Sequence, residues 1–144
     1  YNNKYVKDNV KMPLAHGERV FGRWEYIRYF MDNSIQVIQP DIGNAGGITE
    51  TKRICDMAYT FDVGVQIHTC ASHLLTPPSV QLEACIPNFV IHEQHMRSMN
   101  PSNQELTAKV VMPKNGYLDV TDDIGIGNEW SDKALASEDQ ITLN

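Results

Sequence analysis

Four short apolar runs, MPLAHGE, IQVIQPD, VGVQIH and NFVIHE, each close on an ionisable residue: Glu18, Asp41, His68 and Glu93. These four lie 23, 27 and 25 residues apart. One strand, one helix and two connections take about that length of chain. Groups recurring in phase with such a unit fall at the carboxyl ends of successive parallel strands. A lone acid or histidine would carry little meaning, whereas four in phase mark one end of one sheet.

The strand candidates are residues 12–16, 35–39, 63–67 and 88–92. They are rich in Val and Ile and apolar along most of their length, as strands covered on both faces should be. Helix candidates alternate with them. Residues 23–32 place Trp24, Ile27 and Met31 on one face at helical spacing. Residues 47–61 do the same with Ile48, Cys55, Ala58 and Phe61, and residues 77–86 open on prolines, which a helix tolerates in its first turn. The order β-α-β-α-β-α-β predicts parallel strands joined by right-handed crossovers. Four such strands cannot close a barrel of eight. They make a half-barrel whose active site would lie at the carboxyl ends.

The first eleven residues are polar and read as the end of a preceding helix or loop; 12–96 form the half-barrel; 97–144 form a loop-rich, extended tail. Within the tail, 94–104 read as loop, 107–112 as an extended piece, 113–116 as a Pro-Lys-Asn-Gly turn and 122–130 as loop. A short helix over 131–137 would be capped by Ser131. The tail is expected to wrap back over the barrel or a second domain.

Composition narrows the function. A formal net charge of -6 and a pI near 5.2, with no Lys/Arg cluster, argue against a nucleic-acid partner. No apolar run approaches the roughly 20 residues of a membrane span. Cys55, Cys70 and Cys85 are odd in number and scattered, which fits reduced thiols in a cytoplasm. The opening YNNKYVKDN has no signal-peptide character and no Met, and suggests a fragment of a longer protein.

Each of the four groups suits a definite chemistry. Glu18, beside Gly17, has room to reach Mg²⁺, which takes carboxylate and water oxygens. Asp41 follows Pro40, which ends a strand, and precedes Gly43, Gly46 and Gly47, which let the chain turn sharply. These glycines lack the Gly-Lys-Ser/Thr ending of a phosphate loop. His68 can take a proton from carbon if a carboxylate fixes its tautomer, and Asp41 on the neighbouring strand is that carboxylate. Glu93 and His92 face opposite ways along a strand, so only one of them enters the mouth. A neutral Glu93 could donate to an oxyanion. His73 is a rival base, and Cys70 a rival nucleophile. His92 and His95 have zinc-like spacing but no third ligand, and read as solvated loop histidines. Taken singly, each of the four also has an ordinary reading, as a loop acid, a turn Asp, a packed His or a rim acid.

The stretches PLAHGERVFGRWEY, IQPDIGNAGGITETKRICDMA and the segment from His68 to NFVIHE resemble the enolase superfamily, in its mandelate racemase branch and most closely its galactonate dehydratase-like members. The resemblance runs from about residue 12 to 96 and weakens through NGYLDV and GIGNEW. It implies strands five to eight of a (β/α)7β barrel, with a tail that packs back on a separate capping domain. It also implies Glu18 as the fifth-strand Mg²⁺ ligand, Asp41 and His68 as the sixth- and seventh-strand dyad, and Glu93 as the eighth-strand acid near the enediolate oxygens. The expected reaction is Mg²⁺-dependent dehydration of a small-molecule sugar acid by a homo-oligomeric lyase. Racemisation or cycloisomerisation is the alternative within the family, and a catalytically silent half-barrel the alternative of another class. The resemblance places the other two metal ligands, on the third and fourth strands, outside this chain, so an N-terminal half is needed to complete the site. The family's Pro-Gly-Leu-Gly near the C-terminus reads Asp123-Ile124-Gly125-Ile126-Gly127 here.

Overall fold

A computed structural model of the chain describes residues 2–137. Tyr1 and residues 138–144, the ends of the expected leading segment and tail, lie outside the described residues. Helix α1 (Asn2–Asn9) buries none of its side chains. Strand and helix then alternate: β1 (Ala15–His16), α2 (Gly22–Met31), β2 (Val37–Ile38), α3 (Gly47–Thr60), β3 (Gly64–Val65) and α4 (Thr76–Ala84). The strands form a parallel sheet in the order β1-β2-β3, with Ala15 opposite Val37 and Val37 opposite Gly64. The α/β class and the parallel sheet are as expected.

Regular ladders are shorter than the apolar runs. Pro13 and Pro40 have no N–H to give to a ladder, and Gly17 turns the chain at φ 140. Single hydrogen bonds carry the alignment onward, from Gln39 N to His16 O and from His68 N to Pro40 O, both at 3.0 Å. The fourth expected strand is reduced to one parallel bridge between Val65 and Phe89. Around it Val65 N donates to Asn88 O at 2.8 Å and Val90 N to Val65 O at 2.9 Å. Phe89, Val90 and Ile91 remain 43%, 54% and 58% exposed along this edge.

The core lies between the sheet and α2 and α3. Ile38, Val65 and Ile67 meet Ile54, Cys55 and Ala58, all fully buried. Each large aliphatic side chain there contributes roughly 1.5–3 kcal/mol by leaving water. The face expected of α2 is corrected: Trp24 and Met31 are 71% and 70% exposed, and Tyr26, Tyr29 and Phe30 are the buried stripe. Tyrosine hides an apolar ring while its hydroxyl bonds elsewhere, and Tyr26 Oη donates to Gly17 O at 2.7 Å. Trp24 instead carries the Arg23 guanidinium over its ring, 4.1 Å from the centroid. In α3, Ile48 and Phe61 likewise lie outside the buried set, which is Thr51, Ile54, Cys55 and Ala58.

Beyond residue 93 the expected loop is partly helical. A 3-10 turn spans Met96–Met99, and α5 spans Pro101–Gln104. Asn100 accepts from Ser102 N at 3.1 Å through its side chain, and Pro101 occupies the first helical position. The piece at 107–112 forms no strand; Thr107 makes one antiparallel bridge to Trp130. Asn115 and Gly116, with φ 52 and 84, make the expected tight turn between Lys114 and Tyr117. Ser131 caps α6 (Asp132–Ser137), its Oγ accepting from Ala134 N at 3.1 Å.

His73 ties the tail to the barrel segment. Its ring is fully buried. Nε2 donates to Ser98 O at 2.9 Å, Nδ1 accepts from Val111 N at 3.3 Å, and the His73 carbonyl accepts from Asn128 Nδ2 at 3.0 Å. The described tail therefore packs on the segment after β3 and on α4. No helix among the described residues is long and apolar enough to cross a membrane.

Candidate active site

The four in-phase residues meet at one end of the sheet, around the His68 ring. His68 Nδ1 lies 2.7 Å from Asp41 Oδ2, and Nε2 lies 3.1 Å from Glu18 Oε2 and 3.9 Å from Glu93 Oε1. Asp41 and His68 also pair through their backbones as a parallel bridge. Main chain and side chain thus hold the two in the same register.

Asp41 is the most firmly held of the set. It is 5% exposed, and its Oδ1 accepts from Gly43 N at 2.7 Å and Asn44 N at 3.1 Å. This is an Asx turn, in which a short side chain replaces a backbone acceptor. Ala45 N donates to Asp41 O at 2.7 Å, and Gly46 at φ 113 carries the chain into α3. With Oδ1 taken by two amides, only Oδ2 remains for His68. A carboxylate accepts, so Nδ1 carries the hydrogen and Nε2 faces the open side. When both ring nitrogens are protonated, Asp41 and Glu18 each have an oxygen in place to accept.

Glu18 owes its aim to Gly17. A Cβ at that position would stand 2.8 Å from Tyr26 Oη and 3.0 Å from Gln39 N, and its φ of 140 is one that side chains rarely adopt. Glycine lets the chain break the strand alternation there. His16 consequently stacks edge-on against Tyr29 while Glu18, two residues on, reaches the His68 ring. The Glu18 side chain is half exposed, with Arg19 at 3.6 Å from its other oxygen. One layer below, Gln39 Nε2 donates to Gln66 Oε1 at 2.7 Å, directly under the Asp41–His68 pair in sequence register.

His92 and Glu93 do point opposite ways. Glu93 turns towards His68, and its Oε2 is buried without a hydrogen-bond partner. His92 turns towards α4, where its Nδ1 lies 2.8 Å from Glu83 Oε2. His92 is therefore not the solvated loop histidine expected. Burial holds the Glu83 carboxyl above its usual range, against the hydrogen bond and charge of His92 that pull it down. The His92–Glu83 pair was not foreseen, since Glu83, next to the last residue of α4, reads as an ordinary surface acid. His95 accepts from Arg97 N at 3.1 Å and caps the 3-10 turn, so it does not pair with His92. The rivals separate as well: both ring nitrogens of His73 are engaged by main-chain atoms of the tail, and Cys70 is a partly buried free thiol.

For a metal, Glu18 offers what a hard cation takes: a carboxylate oxygen at the mouth, accessible to water. Among the described residues no three His, Cys, Asp or Glu side chains are placed to hold an ion. Glu18 thus fits as one ligand of a larger set.

Comparison with known proteins bears on the same residues. The family model described as enolase C-terminal domain-like matches residues 2–134. Over 85 residues the chain is 36% identical to a D-galactonate dehydratase of Pectobacterium atrosepticum, covering 59% of this chain and 22% of that protein. Over 124 residues it is 27% identical to a D-xylonate dehydratase of Haloferax volcanii, covering 86% of this chain and 30% of the relative. A crystal structure of an enolase superfamily member from Salmonella Typhimurium superposes with a TM-score of 0.94 at 42% identity, over 99% of this chain and 36% of that one. The stretch matched is thus about a third or less of each relative's length.

Proposed function

The chain belongs to the enolase C-terminal domain-like family, and from that premise we propose that it supplies the proton-transfer part of the active site of a sugar-acid dehydratase. The observation that carries the reading is the Asp41–His68 pair at 2.7 Å, with Nε2 turned to the side where Glu18 and Glu93 converge. His68 is the base. Asp41, itself fixed by two backbone amides, holds the hydrogen on Nδ1 and leaves the Nε2 lone pair for the proton α to the substrate carboxylate. Asp41 then steadies the imidazolium that forms.

Glu93 Oε1 lies 3.9 Å from the same ring nitrogen. Its carboxyl, with Oε1 towards His68, is the group that would meet negative charge developing on the substrate, donating if protonated. The protonated His68 is then placed to pass its proton to the departing β-hydroxyl, which leaves as water. Mg²⁺, with Glu18 as one ligand and the others from a part of the protein beyond this chain, would supply Lewis-acid stabilisation of the substrate carboxylate. Strands five to eight of a (β/α)7β barrel remain the proposed identity of the strands here. The sugar-acid class rests on the dehydratase relatives, and this chain matches only part of each of them.

The test uses the full-length protein carrying this chain, with Mg²⁺ and a panel of sugar acids. The expected products are 2-keto-3-deoxy acids, formed with α-proton exchange in deuterated water. His68→Asn should abolish that exchange while the circular dichroism spectrum is unchanged. Turnover without loss of water would replace dehydration by racemisation or cycloisomerisation. Unimpaired exchange in His68→Asn would remove His68 from the reaction.

A further inference from the structure

We propose that Tyr26 is a positioning residue for Glu18, its hydroxyl fixing the peptide that carries the metal ligand; the inference rests on the site reading above. Strand β1 ends where His16 O accepts from Gln39 N at 3.0 Å. The chain then turns. Val20 N donates to Gly17 O at 3.0 Å, which places Glu18 and Arg19 at the two central positions of a β-turn. A peptide unit is planar, so the direction of the Gly17 carbonyl sets the plane that ends on the Glu18 Cα. Whatever holds Gly17 O therefore aims the root of the Glu18 side chain.

Two donors hold it. One is Val20 N, inside the turn, and the other is Tyr26 Oη, which reaches Gly17 O from α2 at 2.7 Å. A carbonyl oxygen has two lone pairs, and groups of this chain engage both. The glycine is what makes the second donor matter. A Cβ at residue 17 would stand 2.8 Å from Tyr26 Oη and 3.0 Å from Tyr26 Cε1. Glycine turns more freely than any other residue, and that freedom would pass to the residue beside it. Tyr26 thus both requires the glycine and removes its slack. The anchor is rigid, since Tyr26 is fully buried and stacked on Phe30 with ring centroids 6.3 Å apart. Burial pushes its hydroxyl far above the ordinary range, so it stays a donor at neutral pH. A Phe would fill the same core position with no polar group to satisfy, so what the hydroxyl adds is the hold on Gly17. Partners standing behind a metal ligand carry about tenfold to a hundredfold in metal affinity.

The experiment is a mutant cycle in the full-length protein carrying this chain, with Mg²⁺ alone as the probe and calorimetry as the readout. Tyr26→Phe should raise the Mg²⁺ Kd about tenfold to a hundredfold. In the metal-free protein it should also speed amide hydrogen exchange at Val20, whose N–H closes the turn. Replacing Tyr26 by para-aminophenylalanine, which keeps a donor at the same place, should restore most of the affinity. In a Glu18→Gln background, Tyr26→Phe should change the residual Kd less than about twofold, because the ligand being aimed is already gone. A Kd within about twofold of the parent in folded Tyr26→Phe, or an equal fold-loss in both backgrounds, overturns the positioning role. A merely structural hydroxyl would give the first of these results together with a lower urea midpoint, and the site reading would stand. If Glu18→Gln itself leaves the Mg²⁺ Kd unchanged, Glu18 is no ligand, and the site reading falls together with this inference. Should Tyr26→Phe fail to fold, para-fluorophenylalanine against para-aminophenylalanine makes the same comparison, filling the place of the hydroxyl without and with a donor.

Discussion

Replacing Asp41 by Asn changes one atom and should nearly silence the site. Oδ1 of Asp41 accepts from Gly43 N and Asn44 N at 2.7 and 3.1 Å, while Oδ2 faces His68 Nδ1 at 2.7 Å. An Asn amide must keep its oxygen against the two backbone donors, since the reverse orientation sets an NH₂ group against both. That reversal would forfeit two hydrogen bonds at roughly 1 kcal/mol each. The amide nitrogen is thereby directed at His68 Nδ1, which must accept. The ring hydrogen moves to Nε2, and the lone pair that should take the α-proton is lost. Holding a catalytic imidazole in the wrong tautomer costs on the order of 10⁴ in rate, or about 5.4 kcal/mol at 1.36 kcal/mol per decade. KM should stay within a few-fold, because Asp41 is too buried to touch substrate. Stability should fall by no more than roughly 1–3 kcal/mol, the worth of a charge-assisted hydrogen bond. The assay is α-proton exchange in deuterated water by proton NMR, with urea unfolding as control. Exchange within tenfold of the parent, in a folded variant, would refute the orienting role of Asp41.

Three further outcomes follow from the packing. Gly17→Ala should destabilise by roughly 1–3 kcal/mol, the cost of a side chain at φ 140 with its Cβ against Tyr26 Oη and Gln39 N, and should lower Mg²⁺-dependent turnover; urea midpoints within experimental error of the parent would refute this. Glu83 has its carboxyl range raised by burial, so its contribution favours the fold below the usual 4.5 and is lost as pH rises through the raised value. Glu83→Gln should accordingly show a larger gain in thermal midpoint at about pH 8 than at about pH 4, and the opposite ranking would show that the His92 charge outweighs desolvation. Burial pushes the Cys55 thiol up to about 12, so iodoacetamide at pH 8 should leave Cys55 unmodified in the native protein while alkylating the exposed Cys85, as read by peptide mass spectrometry.

Periodicity was enough to place the site and not enough to describe its surroundings. Glu18, Asp41, His68 and Glu93 were legible because each ends an apolar run, and residues in phase along parallel strands must gather at one edge. The strand–helix order, the prolines in the first turn of α4 and the cap at Ser131 were legible for the same local reasons. The buried face of α2 was not: Trp24 and Met31 rank as the more apolar residues, yet Tyr26 wins the core because Gly17 O accepts its hydroxyl. That partner lies nine residues away and appears only in three dimensions. The helical turns at Met96–Met99 and Pro101–Gln104 were hidden by their polar composition, although Asn100-Pro101 is a start signal in plain sight. Glu83 and His92 could not have been paired from spacing, because one belongs to a helix and the other to the chain leaving the sheet. The fourth strand is present as the parallel bridge at Phe89, and among the described residues that edge has a neighbour on one side only.

The His73 knot has a consequence for anyone trimming the molecule. One imidazole, five residues past His68, satisfies a carbonyl at Ser98 and takes an amide from Val111, while its own carbonyl takes an amide from Asn128. A truncation anywhere before Asn128 leaves open at least one of those contacts in a place water does not reach. The cut would sit far from the candidate base in sequence, yet its damage would be felt a few residues from it. Tail length therefore bears on the segment that follows His68, and a boundary drawn near residue 96 would cut through the contacts that hold His73.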